Sequence, residues 1–254
     1  MTDLADKARR LRELHKPGDP LLLANAWDVR AAKAVEEAGF PAVATTSSAI
    51  ALALGYEDGQ KTPADEMFAA VGRIAHGVDV PVTADLEAGY GLPAAEIVER
   101  MIDAGVVGLN YEDTDHDADG PRSLVDAEVQ AGRVAELREA ATAAGVDVVI
   151  NARADPYLLG MDDALDECLR RGRLYRDAGA DCIFTAGVKD EAEIERLVSD
   201  LDKINVLLMP GVPDPARLAK LGVARISAGG GLAHAVMHSQ QSMLESLLAG
   251  THYW

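Results

Sequence analysis

Residues 81–113, PVTADLEAGYGLPAAEIVERMIDAGVVGLNYED, decide the fold because they contain one complete strand–helix–strand unit. The runs 81–87 and 107–112 are short and largely apolar, as is typical of buried strands. The segment 93–104 between them has a helical pattern, which begins with a proline and ends before Gly105. Two strands joined by a helix in this way are expected to pair in parallel, because a parallel pair needs a long crossover connection.

The same unit recurs along the chain and predicts a closed barrel. Eight strand-like runs alternate with eight helical patterns, and no segment has the composition of a linker between domains. Eight such units in 254 residues indicate a (β/α)8 barrel, the TIM barrel, formed by a single domain over residues 1–254. A doubly wound open sheet is the alternative, but no Gly-x-Gly-x-x-Gly motif follows the first strand-like run. The strand-like runs are 21–27, 42–48, 81–87, 107–112, 146–153, 181–186, 204–209 and 223–228, and the helical patterns are 28–38, 63–75, 93–104, 126–144, 162–178, 190–201, 214–221 and 232–248.

The balance of charge excludes several classes of partner. The chain has 24 Lys and Arg against 42 Asp and Glu, which gives a net charge of −18. Nucleic acid and anionic membrane surfaces attract basic proteins, so neither is expected as a partner. No run approaches the roughly 20 apolar residues of a membrane helix, and the charged N-terminal segment lacks the apolar core of a signal peptide. We therefore expect a cytoplasmic protein.

Polar residues gather at the carboxyl ends of the strand-like runs, where barrels of this type carry their chemistry. Asp85 and Glu87 are two residues apart, and so are Asn110 and Glu112, so each pair is expected to point to one side of its strand. If they point inward, three carboxylates converge, and a hard divalent cation is their natural partner. The donor set favours Mg²⁺, with Mn²⁺ as the alternative metal. The competing interpretation places these carboxylates at loop edges, facing solvent.

Two further groups at the same end suggest how an acid is held. Arg153, two residues after Asn151, offers bidentate hydrogen bonds to a carboxylate or a phosphonate. The alternative is a structural ion pair with Glu112 or Asp155. The hydroxyl and backbone N–H groups of residues 46–48 could form an anion-binding nest, or they could cap a turn.

Seven segments, taken in order, resemble the isocitrate lyase/phosphoenolpyruvate mutase superfamily, and especially its shorter phosphonomutase-like members. The combination of Asp-x-Glu-x-Gly-Tyr-Gly, Asn-x-Glu-Asp and Asn-Ala-Arg-x-Asp is specific, although each motif alone is weak. The resemblance covers nearly the whole chain. The segments are NAWD at 25–28, AGFPAVATTSSAIA at 38–51, LGYEDG at 54–59, ADLEAGYG at 84–91, GLNYED at 108–113, NARAD at 151–155 and LGVARISAGG at 221–230.

The resemblance implies a magnesium site and an acid substrate. Asp85 is then the direct ligand of Mg²⁺, and Glu87, Glu112 and Asp58 contact the metal mostly through water. The metal chelates a 2-oxo acid or its enolate, so that a C–C or P–C bond beside the oxyanion breaks or forms. The implied substrate-binding set is Trp27, Thr46, Ser47, Ser48, Asp85, Asn151 and Arg153, and the implied catalytic set is Asp58, Glu112, His116 and Arg153.

Departures from the family pattern reduce the number of reactions that fit this sequence. The Lys-Lys-Cys-Gly-His loop of lyases that cleave isocitrate or methylisocitrate is absent, and Cys168 and Cys182 are expected in the core. The loop at 113–123 has no Lys of the kind that the mutases carry there. His116 in this loop could act as the acid or base, and the alternative is a solvated, mobile loop. Isocitrate lyase and phosphoenolpyruvate mutase activities are therefore disfavoured.

Together these features predict a Mg²⁺-dependent lyase-type enzyme that acts on a small 2-oxo or 2-hydroxy di-acid by C–C cleavage or decarboxylation. The alternatives are a P–C bond enzyme of the phosphonomutase or phosphonopyruvate hydrolase kind, and a protein that binds 2-oxo acids without converting them. The last helical pattern, 232–248, has an apolar stripe that packs either on its own barrel or on a partner. Family members exchange a C-terminal helix between subunits, so the resemblance implies a homodimer or homotetramer.

Overall fold

The computed structural model describes residues 2–116, 118 and 122–252, and its centre is a parallel sheet of nine strands. A separate antiparallel ribbon of two short strands follows the fifth strand of this sheet. In chain order the strands are β1 (Leu21–Leu23), β2 (Asn25–Ala26), β3 (Val43–Thr45), β4 (Val82–Asp85), β5 (Gly108–Glu112), β6 (Thr114–Asp115), β7 (Ser123–Leu124), β8 (Val149–Ala154), β9 (Cys182–Thr185), β10 (Ile204–Leu207) and β11 (Arg225–Ser227).

Helices connect the strands, and aspartates begin several of them as the sequence pattern indicates. The side chain of Asp28 accepts a hydrogen bond from the backbone N–H of Ala31 at 2.7 Å, and Asp126, Asp190 and Asp214 cap later helices in the same way. The helices are α1 (Thr2–Glu13), α2 (Val29–Glu37), α3 (Ser47–Leu54), α4 (Ala64–Ala75), α5 (Ala94–Asp103), α6 (Ala127–Ala143), α7 (Ala164–Asp177), α8 (Glu191–Leu201), α9 (Pro215–Lys220) and α10 (Gly231–Leu248).

The sheet curls into a nearly closed parallel barrel, which confirms the predicted TIM barrel. Its strand order is β1-β11-β10-β9-β8-β5-β4-β3-β2. The two ends of this order meet because β1 and β2 are consecutive pieces of one strand, separated by Ala24. Leu21 pairs with Arg225 where the last strand meets the first. A doubly wound open sheet is therefore excluded.

The sequence pattern misses two helices, α1 and α3. Although α1 is highly charged, it is amphipathic, and its Ala8 and Leu11 are buried. A Cβ on Gly108 would lie 2.8 Å from Leu11 Cδ2, so a glycine at the start of β5 lets α1 pack against the amino-terminal end of the barrel. The other missed helix, α3, begins at Ser47 directly after β3, so the strand-like run predicted at 42–48 ends earlier than expected.

The strand that was expected to carry both Asp85 and Glu87 also ends early. β4 ends at Asp85, and Glu87 has a φ of +49°, in the left-handed region. The expectation that these two residues share one face of a strand is therefore wrong, because the backbone turns between them. Asn110 and Glu112 do lie together in β5, as predicted.

The helix α10 leaves a large apolar surface uncovered. Val236, Leu244, Leu247 and Leu248 are each at least half exposed. Exposed apolar surface of this kind suits a partner, and the exchange of α10 between subunits stays a prediction. Within the residues that the structure describes, no helix is both long and apolar enough to span a lipid bilayer.

Candidate active site

Acidic side chains gather at the carboxyl ends of the barrel strands, in a region that we name the mouth. Asp85, the last residue of β4, is anchored there from two neighbouring elements. Its Oδ2 accepts hydrogen bonds from the hydroxyl and the backbone N–H of Ser47, at 2.8 and 3.2 Å, and its Oδ1 accepts one from Asn110 Nδ2 at 3.3 Å. Because Ser47 is the first residue of α3, its N–H has no partner within the helix, and a carboxylate satisfies it well.

Glu87 lies where backbone strain is concentrated. Among the described residues other than glycine, four have a positive φ, namely Gln60 at 60°, Glu87 at 49°, Tyr90 at 56° and Asp202 at 65°. The first three contact one another: Gln60 N–H donates to Glu87 Oε2 at 2.6 Å, and the Tyr90 hydroxyl donates to Glu87 Oε1 at 2.7 Å. Left-handed backbone costs about 1–2 kcal/mol for such residues and clusters at functional sites. The strained turn places Glu87 in the mouth beyond the end of β4.

Glu112 adds a third acidic group from β5 and is tied to two basic side chains. Its Oε1 lies 2.6 Å from His116 Nε2, and its Oε2 lies 2.6 Å from Arg153 Nη1. Arg153 also donates through Nε to Asp155 Oδ1 at 2.6 Å, and its guanidinium lies 5.8 Å from the centre of the Phe184 ring. Both structural ion pairs considered for Arg153 therefore form, yet 20% of its side chain stays exposed.

Burial raises the pKa of the two glutamates in the mouth. The pKa of Glu87 rises to about 7, mainly because of burial, and the charges of Glu112 and Asp85 add to the effect. Burial likewise raises the pKa of Glu112, although the nearby Arg153 opposes the rise. The hydrogen bond to Glu112 raises the pKa of His116. A cation placed among these groups would favour the ionised carboxylates.

Three side chains of the mouth are close enough to share one metal ion. Ligand atoms of Glu87, Glu112 and His116 all lie within 4.8 Å of one another. This set of side chains fits a divalent cation, because its two carboxylates supply oxygen ligands. Among the described residues, the groups that donate hydrogen bonds to Glu87 are uncharged, so they leave its negative charge for a cation to balance. Asp85 and Asp58 are outside this cluster, although both line the mouth. The predicted ligands thus gather at one end of the barrel, and His116 joins them.

Two adjoining cavities occupy the mouth. Trp27 lines neither cavity and packs against the hydrophobic core, and Asn151 lies fully buried beneath them. The smaller cavity, of about 40 Å³, is lined by Ser47, Asp58, Gly59, Glu87, Glu112, Thr114, His116, Arg122 and Arg153. The larger, of about 120 Å³, is lined by Asn25, Thr46, Ser47, Ser48, Asp58, Asp85, Asn110, Arg153, Leu158, Phe184, Ala186, Leu207, Ser227, Gly229 and Gly230.

A buried polar chain below the mouth supports Asp85. Asn110 Oδ1 accepts hydrogen bonds from Asn151 Nδ2 at 2.8 Å and from Arg225 Nη2 at 3.0 Å, which turns the Asn110 amide nitrogen towards Asp85. Burial lowers the pKa of Arg225 to about 10. The sequence reasoning missed Arg225, although a charged residue inside an apolar strand-like run was a signal for it.

Comparison with known proteins agrees with this geometry. A family model described as phosphoenolpyruvate phosphomutase matches residues 11–248. The chain belongs to the phosphoenolpyruvate mutase/isocitrate lyase superfamily. The resemblance that the sequence motifs carry is therefore confirmed over most of the chain, and each of those motifs contributes at least one residue to the mouth.

Relatives of this superfamily member include lyases. Oxaloacetate decarboxylase of Paraburkholderia xenovorans is 32% identical over 235 residues, which cover 87% of this chain and 75% of that protein. A Corynebacterium glutamicum protein provisionally named 2-methylisocitrate lyase 2 is 32% identical over 188 residues, or 70% of this chain and 58% of that protein. A solved structure from Burkholderia cenocepacia, provisionally named a phosphonomutase, is 37% identical with a TM-score of 0.87, and the match covers 94% of this chain and 99% of that one.

The loop at 113–123 is described in part. Its strands β6 and β7 form the short ribbon, and Thr114 donates to Asp155 Oδ2 at 2.6 Å. The side chain of His116 is 10% exposed and points to Glu112, so this histidine is not a solvated loop residue. Residues 117 and 119–121 of the loop lie outside the described residues.

Proposed function

We propose that this superfamily member is a lyase that depends on a divalent metal, with Mg²⁺ as the metal, and that cleaves or decarboxylates a small 2-oxo or 2-hydroxy di-acid. The observation that carries the proposal is the convergence of Asp85, Glu87 and Glu112 with the partly exposed Arg153 on two adjoining cavities. The relatives named oxaloacetate decarboxylase and 2-methylisocitrate lyase support chemistry at a C–C bond.

Arg153 has the role of holding one acid group of the substrate. Its Nε donates to Asp155 and its Nη1 lies 2.6 Å from Glu112 Oε2, so two carboxylates position the guanidinium, and among the described residues Nη2 is the atom left to bind a ligand. The hydroxyl oxygens of Thr46 and Ser48, 3.2 Å apart, line the larger cavity and offer donors to a second acid group. Two sets of donors on one cavity suit a di-acid.

The acidic residues of the mouth have the role of holding the cation and a proton. Asp85, Glu87, Glu112 and Asp58 are its proposed ligands, some of them through water. When a 2-oxo acid loses the group beside its carbonyl, negative charge gathers on the carbonyl oxygen, and a bound divalent cation supplies Lewis-acid stabilisation of that charge. The Glu112–His116 pair, whose Oε1 and Nε2 lie 2.6 Å apart, lines the smaller cavity and would supply the proton that the enolate product takes up.

The proposal is tested by following a panel of acids by NMR with Mg²⁺ present. The panel contains oxaloacetate, 2-methylisocitrate, alkyl-substituted malates and phosphonopyruvate. We expect cleavage or decarboxylation of at least one carbon acid, and we expect EDTA to stop it. Asp85→Asn should lower turnover by at least 100-fold. The exposed Asp103 at the end of α5, changed to Asn, is the matched control and should leave turnover intact.

Two other outcomes assign a different function. The likeness to the structure provisionally named a phosphonomutase favours a P–C bond enzyme as the second candidate, and conversion of phosphonopyruvate alone would select it. Binding of the acids without conversion of any would select a binding protein instead. Turnover that persists in Asp85→Asn after removal of metal would contradict the proposed mechanism.

A further inference from the structure

One side of the larger cavity is lined mainly by apolar side chains. It is formed by Leu158 after β8, Phe184 in β9, Ala186 directly after β9, and Leu207 at the end of β10, and we name these four residues the apolar wall. The polar side chains of the cavity come mainly from the elements between β2 and β8. The proposed acid chemistry uses that polar side, and the apolar wall has no part in it. The polar group is Asn25, Thr46, Ser47, Ser48, Asp58, Asp85, Asn110 and Arg153, and Ser227 adds one hydroxyl beside Leu207.

Two glycines allow the leucines of the apolar wall to pack close to the backbone. Gly229 has a φ of +54°, and a Cβ there would lie 2.6 Å from Leu207 Cδ1. Gly187 has a φ of +97°, and a Cβ there would lie 3.1 Å from Leu158 Cδ2. A larger residue at either position would both strain the backbone and push a leucine out of place. The sequence therefore fixes the position of the apolar wall.

The apolar wall presents surface that a ligand can cover. Leu158 is 42% exposed and Leu207 is half-buried, whereas Phe184 and Ala186 are buried behind them. Phe184 also stacks under the guanidinium of Arg153, so an acid group bound by Arg153 places its neighbouring carbon atoms beside the apolar wall. Removing such surface from water stabilises the complex in proportion to the apolar area that is buried.

We propose that the apolar wall binds a short alkyl substituent of the substrate, so that the preferred substrates are alkyl-substituted 2-oxo or 2-hydroxy di-acids. This inference rests on the function proposed above and names its substrate class. An unsubstituted di-acid leaves Leu158 and Leu207 in contact with water. Each carbon atom placed on the apolar wall is expected to increase affinity about fourfold.

The test uses unreactive di-acids, so that it does not depend on turnover. Dissociation constants of malonate, methylmalonate and ethylmalonate are measured by NMR titration with Mg²⁺ present. We expect methylmalonate to bind about fourfold and ethylmalonate about 15-fold more tightly than malonate. Leu158→Asn should reduce the ethylmalonate preference to about threefold and change the malonate affinity less than twofold, because the acid groups bind on the polar side.

The matched control is Leu54→Asn, because Leu54 is a similarly exposed leucine, at 37%, that lines neither cavity. The Leu54→Asn variant should still bind ethylmalonate about 15-fold more tightly than malonate. Equal affinities for the three acids, no binding of any of them, or an equal loss in the Leu54 variant would overturn the inference. Turnover of oxaloacetate and 3-methyloxaloacetate separates the two proposals: if neither is converted but the preference holds, the lyase function fails and the alkyl site stands.

Discussion

Two groups of buried carboxylates lie side by side at the mouth of the barrel, and their surroundings differ. The Oδ2 of Asp113 accepts hydrogen bonds from the Tyr175 hydroxyl at 2.7 Å and from Arg171 Nη1 at 3.1 Å, and its Oδ1 accepts one from the backbone N–H of Asp155 at 3.0 Å. Glu87 is also buried, but its donors among the described residues are a backbone N–H and a phenol. Burial raises the pKa of Asp113 to about 6 and that of Glu87 to about 7.

The difference separates a structural carboxylate from one that we propose to be a metal ligand. Asp113 has an opposing charge within the chain, in Arg171, so the fold itself stabilises it. Glu87 lacks such a partner among the described residues, and it is held by hydrogen bonds from Gln60 and Tyr90, which like Glu87 itself have left-handed backbone.

Sequence position does not distinguish these environments, since Glu112 and Asp113 are adjacent and belong to different groups. Burial alone is not the useful criterion. The opposing charge of Asp113, on Arg171, is itself buried in the fold. Glu112, in contrast, pairs with Arg153, which is partly exposed and lines both cavities, and Glu87 has no such charge among the described residues.

The largest expected effect is on stability, when the structural carboxylate is removed. Asp113→Ala leaves the buried Tyr175 hydroxyl without its acceptor and removes one acceptor of the buried Arg171, which keeps Glu167 and the Val125 carbonyl. We expect it to lower the free energy of unfolding by about 4 kcal/mol. Urea denaturation followed by circular dichroism measures the change. The folded fraction should bind Mn²⁺ with unchanged affinity, and Asp113→Asn should show the same effect in weaker form. A loss of Mn²⁺ affinity without a loss of stability would reverse the assignment of the two groups.

Removal of the charge of Glu87, the proposed metal ligand, should raise the free energy of unfolding instead of lowering it. The pKa of Glu87 is higher in the folded protein than in the unfolded chain, so ionised Glu87 lowers stability as the pH rises from about 4.5 to about 7. At pH 8 without divalent metal, Glu87→Gln should therefore raise the free energy of unfolding by about 3 kcal/mol.

Addition of Mg²⁺ should reverse the order of stability of the wild type and Glu87→Gln. Mg²⁺ should stabilise the wild type more than Glu87→Gln, because a ligand that binds the folded state raises its stability. Thermal unfolding with and without Mg²⁺ measures both effects. If Glu87→Gln is destabilising without metal, Glu87 belongs with the structural group.

His15 extends the comparison to a buried base. Its Nδ1 lies 2.8 Å from the carbonyl oxygen of Leu11, and Arg225 Nη1 lies 3.5 Å from its Nε2. Burial, with a contribution from Arg225, lowers its pKa to about 3. Because the folded pKa is below the unfolded value of about 6.5, stability falls as the pH drops from about 6.5 towards 3.

Protonation of His15 in the unfolded chain should lower the free energy of unfolding by about 2 kcal/mol between pH 7.5 and pH 5. The measurement is the difference in pH dependence between the wild type and His15→Gln, each unfolded in urea. The variant should lose less stability on acidification, since it has no imidazole to protonate. Parallel curves for the two proteins would show that His15 is not buried in its neutral form.

The smallest effect is expected where an ion pair is exposed. Arg9 Nη2 lies 2.7 Å from Asp6 Oδ1, and both side chains are about two-thirds exposed. Arg9→Ala should leave the melting temperature unchanged within error, because solvent screens such pairs. A measurable fall in the melting temperature would mean that ion pairs stabilise this protein whether or not they are buried. The distinction drawn between Asp113 and Glu87 would then be weaker.

The sequence predicts the barrel better than the details of its mouth. The repeat of strand-like runs and helical patterns is local, so the TIM barrel, its strand positions and the place of Glu112 and Arg153 can be read directly. The turn at Glu87 depends on contacts with Gln60 and Tyr90, and no periodicity encodes left-handed backbone. The anchoring of Asp85 by Ser47 depends on where α3 begins, which a continuous apolar run conceals.

The buried cation and the apolar wall were hidden for a different reason. Arg225 stands inside an apolar run, where charge is costly, and its partner Asn110 lies 115 positions earlier in the chain. Phe184 and Leu207 have the same residue types as the core, and the structure alone shows that they border a cavity. The roles of such residues depend on tertiary contacts, so the sequence by itself cannot assign those roles.

The seam between β1 and β11 determines when the mouth is complete during synthesis. The backbone N–H of Gly229 donates to Asn25 Oδ1 at 2.8 Å, a contact between positions 204 residues apart. A ribosome that adds 5–20 residues per second needs roughly 10–40 s to make the chain between them. Until then the nascent sheet has open edges and can pair with other chains. The mouth is therefore one of the last parts to form, because its closure needs the segment around Gly229.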